Sequence, residues 1–402
     1  MSSKNSRVLS GMRPTGHLHL GHYHGVLKNW TQLQKKHNCF FFVADWHALT
    51  THYSDSINLE NNINSMIADW LAVGINPNNS TIFVQSKIIE HAELHLLLSM
   101  CIPLSWLERV PSFKDQQEKL KDKDLNTYGF LGYPLLQSAD ILMYDAEFVP
   151  VGEDQVAHVE LTREIARRFN HIYGKEPNFE KKANLAILKM GKKQASLYKN
   201  LRNNYQEQGD GEALIKAKAL LESQQNITLS DKERLYGYLE GNSKIILIEP
   251  QALLTKTAKM PGLDGQKMSK SYNNIISLRD DKNLVSKKIM TMPTDPARIK
   301  RDDPGNPDIC PVFEIHKVYT KNAPDLRWII EGCKNAKIGC VDCKKPLIEH
   351  INNELAPIQE KIKEYQENPK LVKQIIFEGN EKAKDVAEET MKRVREVMGV
   401  DY

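Results

Sequence analysis

Two imidazoles three residues apart, His19 and His22, flank Leu20-Gly21 in the run Ser10-Gly11-Met12-Arg13-Pro14-Thr15-Gly16-His17-Leu18-His19-Leu20-Gly21-His22. A short apolar run, Val8-Leu9, leads into it, and an amphipathic pattern from about His22 to Lys36 predicts a helix after it. Backbone N–H groups at a helix N-terminus favour anions, and glycine lets a ligand approach the backbone closely. The stretch reads as a phosphate-binding turn with imidazoles in reach, or equally as a Gly/Pro-rich connector with surface histidines. A second basic stretch is Leu263-Asp264-Gly265-Gln266-Lys267-Met268-Ser269-Lys270-Ser271. Such a loop can carry cations to a polyphosphate and close over it. Taken alone it is also an ordinary basic surface turn.

Asp140 sits in Gly132-Tyr133-Pro134-Leu135-Leu136-Gln137-Ser138-Ala139-Asp140-Ile141-Leu142-Met143-Tyr144, a segment otherwise apolar. At helical spacing Tyr133, Gln137 and Asp140 share one face. A carboxylate among apolar neighbours needs a partner, so Asp140 is either a ligand group or a core or exposed group satisfied locally. Cys310, Cys333, Cys340 and Cys343 have 22, six and two residues between them. Four thiolates suit a tetrahedral zinc or an iron–sulfur cluster, and in a cytosolic chain such a cluster favours a metal over disulfides. Gly339 before the last pair suits a tight ligand hairpin. Cys39 and Cys101 read as core residues.

Elements that would position these groups follow from the pattern. Asn38 to Ala44 is a continuous apolar run, as in a parallel strand buried on both faces, and it delivers Asp45-Trp46-His47. Ile57–Val73 and His91–Met100 read as helices around a strand at Thr81–Gln85. Lys114 to Asn126 reads as a solvated helix or a flap. Glu147–Val151 is a strand delivering Gly152-Glu153-Asp154-Gln155, with a helix from Gln155 to Phe169. The expected fold is α/β: a Rossmann-like doubly wound parallel sheet over 1–180, a helical insertion over 181–255, a return of the first domain over 256–285, and an α-helical domain over 286–402. Within the insertion, helices are expected near Ala183–Tyr205, Glu212–Ser223 and Ser230–Glu240. The chain has 402 residues, 41% hydrophobic and 26% charged, with net charge +4. That is ordinary for a globular protein and neither demands nor excludes a polyanionic partner. No apolar run of 18 exists and the N-terminus lacks a signal-peptide core, so a cytoplasmic location without a membrane is expected.

His19-Leu20-Gly21-His22 and Lys267-Met268-Ser269-Lys270-Ser271 together resemble the two signatures of class I aminoacyl-tRNA synthetases, the second without change. Gly11-Met12-Arg13-Pro14-Thr15-Gly16, Ala44-Asp45-Trp46-His47-Ala48, Tyr133 through Asp140, and Val149-Pro150-Val151-Gly152-Glu153-Asp154-Gln155 are similar to the bacterial tryptophanyl branch of that class. The resemblance covers residues 6 to about 180 and about 258 to 402, leaving out the Lys-rich insertion. It implies a helical anticodon-binding domain, a homodimer, and charging of tRNA(Trp) with L-tryptophan at the expense of ATP, with Mg²⁺. It implies that Asp140 accepts the indole N–H. Tyr133, Gln137, His47 and Gln155 would bound the amino acid, with Leu9, Gly11, Ile141, Val149 and Val151 as apolar walls. Arg13, Pro14, Thr15, Gly21, His22, Gly152, Glu153 and Asp154 would hold ATP. Lys267, Met268, Ser269, Lys270 and Ser271 would close on the phosphates, with His19, His22, Lys267, Ser269 and Lys270 as the catalytic set. Many family members carry Gln at the position of Arg13 and Met at that of Gln137. The cysteine spacing is similar to a subset with a [4Fe-4S] cluster, which favours that cluster over Zn²⁺. A tyrosyl-specific relative shares fold and signatures; a non-catalytic RNA-binding paralogue would not need His19, His22, Lys267 and Lys270.

Overall fold

A computed structural model describes residues 6–53, 58–110, 127–241, 243–254 and 260–402. The segment 114–126, expected as a solvated helix or flap, lies outside the described residues. In chain order the chain forms β1 (Arg7–Met12), α1 (Leu20–His22), a π-turn (Tyr23–Leu27), α2 (Lys28–Leu33), β2 (Asn38–Val43), α3 (Asp45–His52), α4 (Leu59–Ala72) and β3 (Ser80–Val84). There follow α5 (Glu90–Ser99), α6 (Leu104–Glu108), α7 (Tyr128–Met143), β4 (Phe148–Val151) and α8 (Val156–Tyr173). Four helices come next: α9 (Phe179–Lys189), α10 (Lys192–Gln208), α11 (Gly211–Glu222) and α12 (Leu229–Glu240). After β5 (Gln251–Leu254) and the loop that follows it come α13 (Lys282–Thr291), α14 (Pro311–Tyr319), α15 (Ala323–Lys334), α16 (Cys340–Glu367) and α17 (Pro369–Met398).

The strands form one sheet in the order β3-β2-β1-β4-β5, with β1–β2 and β2–β3 parallel. Residues of β2 and β3 are buried on both faces beyond Asn38, which is why these strands read as unbroken apolar runs. Phe41 stacks on Trp30 of α2 with ring centroids 4.2 Å apart. The chain runs outward from β1 through β2 to β3, then crosses to β4 on the other side. The direction of winding reverses between β1 and β4, and in open α/β sheets the ligand crevice lies outside the strand carboxyl ends at such a point.

The chain divides into two units: residues 1–87, 150–153 and 253–383, and residues 88–149, 154–252 and 384–402. In the second unit, α9 to α12 have a core of their own, including Ala186, Ile187, Tyr198, Leu221, Leu235 and Leu239. Asn170 on α8 anchors the exit of this segment. Its side chain accepts from Ile246 and Leu247 N–H at 2.9 and 3.0 Å and donates to the Leu247 carbonyl at 2.8 Å.

Four local expectations are corrected. The first helix starts at Leu20 rather than His22, because His19 caps it, and a π-turn interrupts it. The helix expected over Ala183–Tyr205 is two helices parted at Gly191, whose φ of +84° suits glycine and breaks the run. The strand β5 falls in a short stretch without alternation and carried no periodic signal. Cys340 and Cys343 lie in the first turn of α16 with Gly339 as N-cap, so the expected ligand hairpin is a helix start.

Candidate active site

The opening turn leaves β1 at its carboxyl end, at the reversal of winding. Thr15 N–H bonds the Arg13 carbonyl at 2.9 Å and Gly16 takes φ +105°, so the chain doubles back before the helix. The two histidines then cap the helix reciprocally. His19 Nδ1 accepts the Gly21 N–H at 3.1 Å, and His22 Nδ1 accepts the His19 N–H at 3.3 Å. Because each Nδ1 is an acceptor, each neutral ring carries its proton on Nε2, where it can act as a donor. Burial first, then Lys270, lowers the His19 pKa to about 4, and burial, His19 and Lys270 drive that of His22 well below its usual value. Both rings are neutral near pH 7, so they would meet a phosphate as hydrogen-bond donors and not as cations. A Cβ on Gly21 would lie 2.9 Å from the His19 ring, so only glycine accommodates this cap.

The lysine loop is joined to this turn by backbone hydrogen bonds. Leu20 N–H donates to the Ile276 carbonyl at 3.0 Å, Leu278 N–H to the Leu18 carbonyl at 3.0 Å, and His19 pairs with Ser277 in an antiparallel bridge. Asn274 shapes the loop itself: its Oδ1 accepts the Ser269 N–H at 2.7 Å, and its Nδ2 donates to Asp264 Oδ1 at 2.7 Å and to the Lys267 carbonyl at 3.2 Å. Met268 is buried, while Lys267 is exposed and Ser269 half-buried. Lys270 Nζ donates to the Gly16 carbonyl at 2.8 Å, so one cation of the loop reaches the opening turn. Its pKa falls to about 8: burial and Arg13 push it down, and Asp69 opposes them.

Asp69 on α4 was not singled out from the sequence. It is fully buried, and its Oδ1 accepts from Arg279 Nε at 3.0 Å and Nη2 at 2.7 Å. Burial raises its pKa to about 6 against the pull of Arg279. Arg279 follows the lysine loop, so the pair fastens the loop's exit to the helix beneath the turn. The signal was present: Asp69 stands in Met66-Ile67-Ala68-Asp69-Trp70-Leu71, a lone carboxylate in an apolar run like that around Asp140. Of the other expected ATP-site residues in this unit, Arg13 and Glu153 are exposed, Pro14 is buried, and Thr15 and Gly152 are half-buried. Leu9 is buried. A Cβ on Gly11 would meet the Phe42 ring at 2.5 Å, and His47 and Val151 are half-buried.

In the second unit, α7 is apolar almost all round and is buried accordingly. Tyr133, Asp140 and Ile141 are buried, as is Val149 on β4, while Gln137 and Gln155 are half-buried and Asp154 is exposed. Tyr133 Oη lies 3.3 Å from His158 Nε2. Asp140 is fully buried and its Oδ1 is 2.6 Å from His91 Nδ1. The alternatives left open for Asp140 narrow: it is buried, and a side chain from α5 is among its partners.

The four cysteines lie in one neighbourhood of the first unit. Burial first, then the other thiols, raises Cys343 to about 12, and the same causes act upward on Cys310 and Cys333. The Arg298 guanidinium is 3.9 Å from Cys340 Sγ and 4.0 Å from Cys333 Sγ. Thiols that oppose one another's ionisation suit a cationic centre that would hold them as thiolates, so the donor chemistry fits. Among the described residues, however, no three His, Cys, Asp or Glu side chains are drawn together closely enough to hold a metal ion.

The family of class I tRNA synthetases (W and Y) matches residues 1–195 and 224–356. The tryptophan–tRNA ligase of Ralstonia nicotianae is 60% identical over 396 residues, covering 98% of this chain and 99% of that one. That of Thermotoga maritima is 44% identical over 397 residues, covering 98% and 100%. Among solved structures, the tryptophanyl-tRNA synthetase of Campylobacter jejuni complexed with ADP and tryptophan matches with a TM-score of 0.73 at 28% identity, covering 98% of this chain and 99% of that one. Matches of such length run through 181–255, so the similarity extends beyond the bounds read from the motifs, and that segment is not peculiar to this chain.

Proposed function

Because this chain belongs to the class I tRNA synthetases (W and Y), we propose that the two joined loops are its ATP jaw and that α7 carries its amino-acid selector. The enzyme is a tryptophan–tRNA ligase: it activates L-tryptophan with ATP and transfers the product to tRNA(Trp). The observation that carries the phosphate part is the bond from Lys270 to the Gly16 carbonyl, which sets a cation beside the two imidazoles at a helix N-terminus.

The tryptophan carboxylate attacks the α-phosphorus of ATP in line; a P–O bond forms to it and the bond to pyrophosphate breaks. Such transfers are catalysed mainly by positioning and charge stabilisation. His19 and His22 donate from Nε2 to phosphate oxygens, Gly21 and Gly152 allow close approach, and Arg13, Pro14, Thr15, Glu153 and Asp154 hold the nucleotide. Lys267 and Lys270 neutralise charge on the leaving pyrophosphate, with Ser269, Met268 and Ser271 shaping the loop around it. Mg²⁺ arriving with ATP supplies further charge neutralisation. The tRNA ribose hydroxyl, the 2′-hydroxyl by family precedent, then displaces AMP from the adenylate. Asp140 accepts the indole N–H; Tyr133, Gln137, His47 and Gln155 bound the amino acid, and Leu9, Gly11, Ile141, Val149 and Val151 supply apolar walls. A site built around an acceptor rejects analogues without the donor.

The helical region from 286 is the anticodon-binding domain, and the enzyme works as a cytoplasmic homodimer. Cys310, Cys333, Cys340 and Cys343 would hold a [4Fe-4S] cluster, Zn²⁺ being the alternative, and the group would supply a rigid cross-link there. Amino-acid-dependent pyrophosphate exchange run with each amino acid tests the reading. Exchange with tryptophan alone is expected; exchange with tyrosine would overturn it.

A further inference from the structure

Asp140 and Tyr144 are one helical turn apart at the end of α7, so both face the same side. A single imidazole bridges them. His91 Nδ1 is 2.6 Å from Asp140 Oδ1, and His91 Nε2 is 2.7 Å from Tyr144 Oη. Asp140, His91 and Tyr144 are all fully buried. Burial, reinforced by the nearby Asp140 and Glu90 carboxylates, keeps the Tyr144 phenol protonated. The proton order follows: Tyr144 O–H donates to His91 Nε2, and His91 Nδ1–H donates to Asp140 Oδ1. We infer that His91 is a positioning residue for amino-acid selection, fixing the direction in which Asp140 presents its carboxylate to the indole N–H.

The inference rests on the reading of Asp140 given above. Its physical basis is that a buried carboxylate without a donor rotates or takes up a proton. A protonated acid is itself a donor, so the preference for an N–H would be lost. His91 prevents both, and Tyr144 prevents His91 from turning or taking the other tautomer.

The test measures kcat/KM for pyrophosphate exchange with tryptophan and with β-(benzothiophen-3-yl)alanine, which has sulfur in place of the N–H. His91→Leu is expected to lower the ratio of the two at least about tenfold, since a buried acceptor loses a donor that fixes its direction. The tryptophan KM should rise while that for ATP stays put. His91→Asn, whose amide N–H can occupy the place of Nδ1–H, should recover most of the ratio. Tyr144→Phe should lower it about threefold, as expected for loss of one neutral hydrogen bond further out. An unchanged ratio in folded His91→Leu, or equal losses in the Leu and Asn variants, would overturn the inference. If His91→Leu does not fold, an unchanged ratio in Tyr144→Phe overturns it instead. Asp140→Ala, which leaves no side-chain acceptor, separates the two levels: a ratio it leaves intact sinks the reading of Asp140 itself, whereas collapse there with no change in His91→Leu sinks only the role of His91.

Discussion

The proposed phosphate end and the proposed selector are built on opposite plans. In the first, two chain segments far apart in sequence are joined by backbone bonds through Leu18, Leu20, Ile276 and Leu278; His19 is buried, while His22, Ser269 and Lys270 are half-buried and Lys267 is exposed. At Asp140 the backbone is a plain helix, and the arrangement rests on a buried chain of side chains from Tyr144 through His91. A group that must meet a flexible polyphosphate tolerates adjustment. One that must tell an N–H from its absence does not, because an unpaired buried acceptor is costly. Substitutions at the selector should therefore cost more, and more selectively, than those at the loop.

Four measurements can break or sharpen this contrast. Asp140→Ala should cut tryptophan-dependent pyrophosphate exchange by about 10³-fold or more while ATP binding persists, following the penalty for deleting a selective buried partner. Unaltered exchange would remove Asp140 from the selector. Lys270→Ala should slow adenylate formation in single turnovers by about 10²-fold, the usual effect of losing one group that stabilises transition-state charge, and leave tryptophan binding intact. A normal single-turnover rate would show that the loop's cation is dispensable.

The pH profile is a gentler probe. Lys270 is charged below its pKa of about 8 and loses its proton above it, so kcat/KM for ATP should fall as pH rises through about 8. Lys270→Arg should move that fall upward, since arginine stays charged. His19, lowered to about 4, should add no acid limb near neutrality. The smallest expected effect on activation comes from the four-cysteine region: Cys340→Ser should reduce tRNA charging more than adenylate formation. Equal reductions would assign these cysteines a general folding role.

The two loops that meet through Lys270 and Gly16 stood out in the sequence because glycine, proline and paired cations have local meanings that survive without coordinates. Asp69 and His91 were missed for a shared reason. Each is a buried polar residue in a helix whose partner, Arg279 or Asp140, lies far away in sequence, and a sequence pattern does not say whom a buried polar group meets. The apolar context of Asp69 matched that of Asp140 and was a usable signal. The break at Gly191 was missed, and the hairpin expected after Gly339 is a helix start, because periodicity locates helices better than it locates their ends.

Residue types alone indicated the parallel strands, a turn after β1 and the resemblance of the two signature motifs. Apolar runs, glycine positions and paired lysines carry that information locally. Only the tertiary structure decided that His19 and His22 cap one another and are neutral, that Lys270 reaches the Gly16 carbonyl, and that Asp140 is held by His91. Charge state and hydrogen-bond partnership depend on burial and on neighbours brought from distant parts of the chain, and those exist only once the chain has folded.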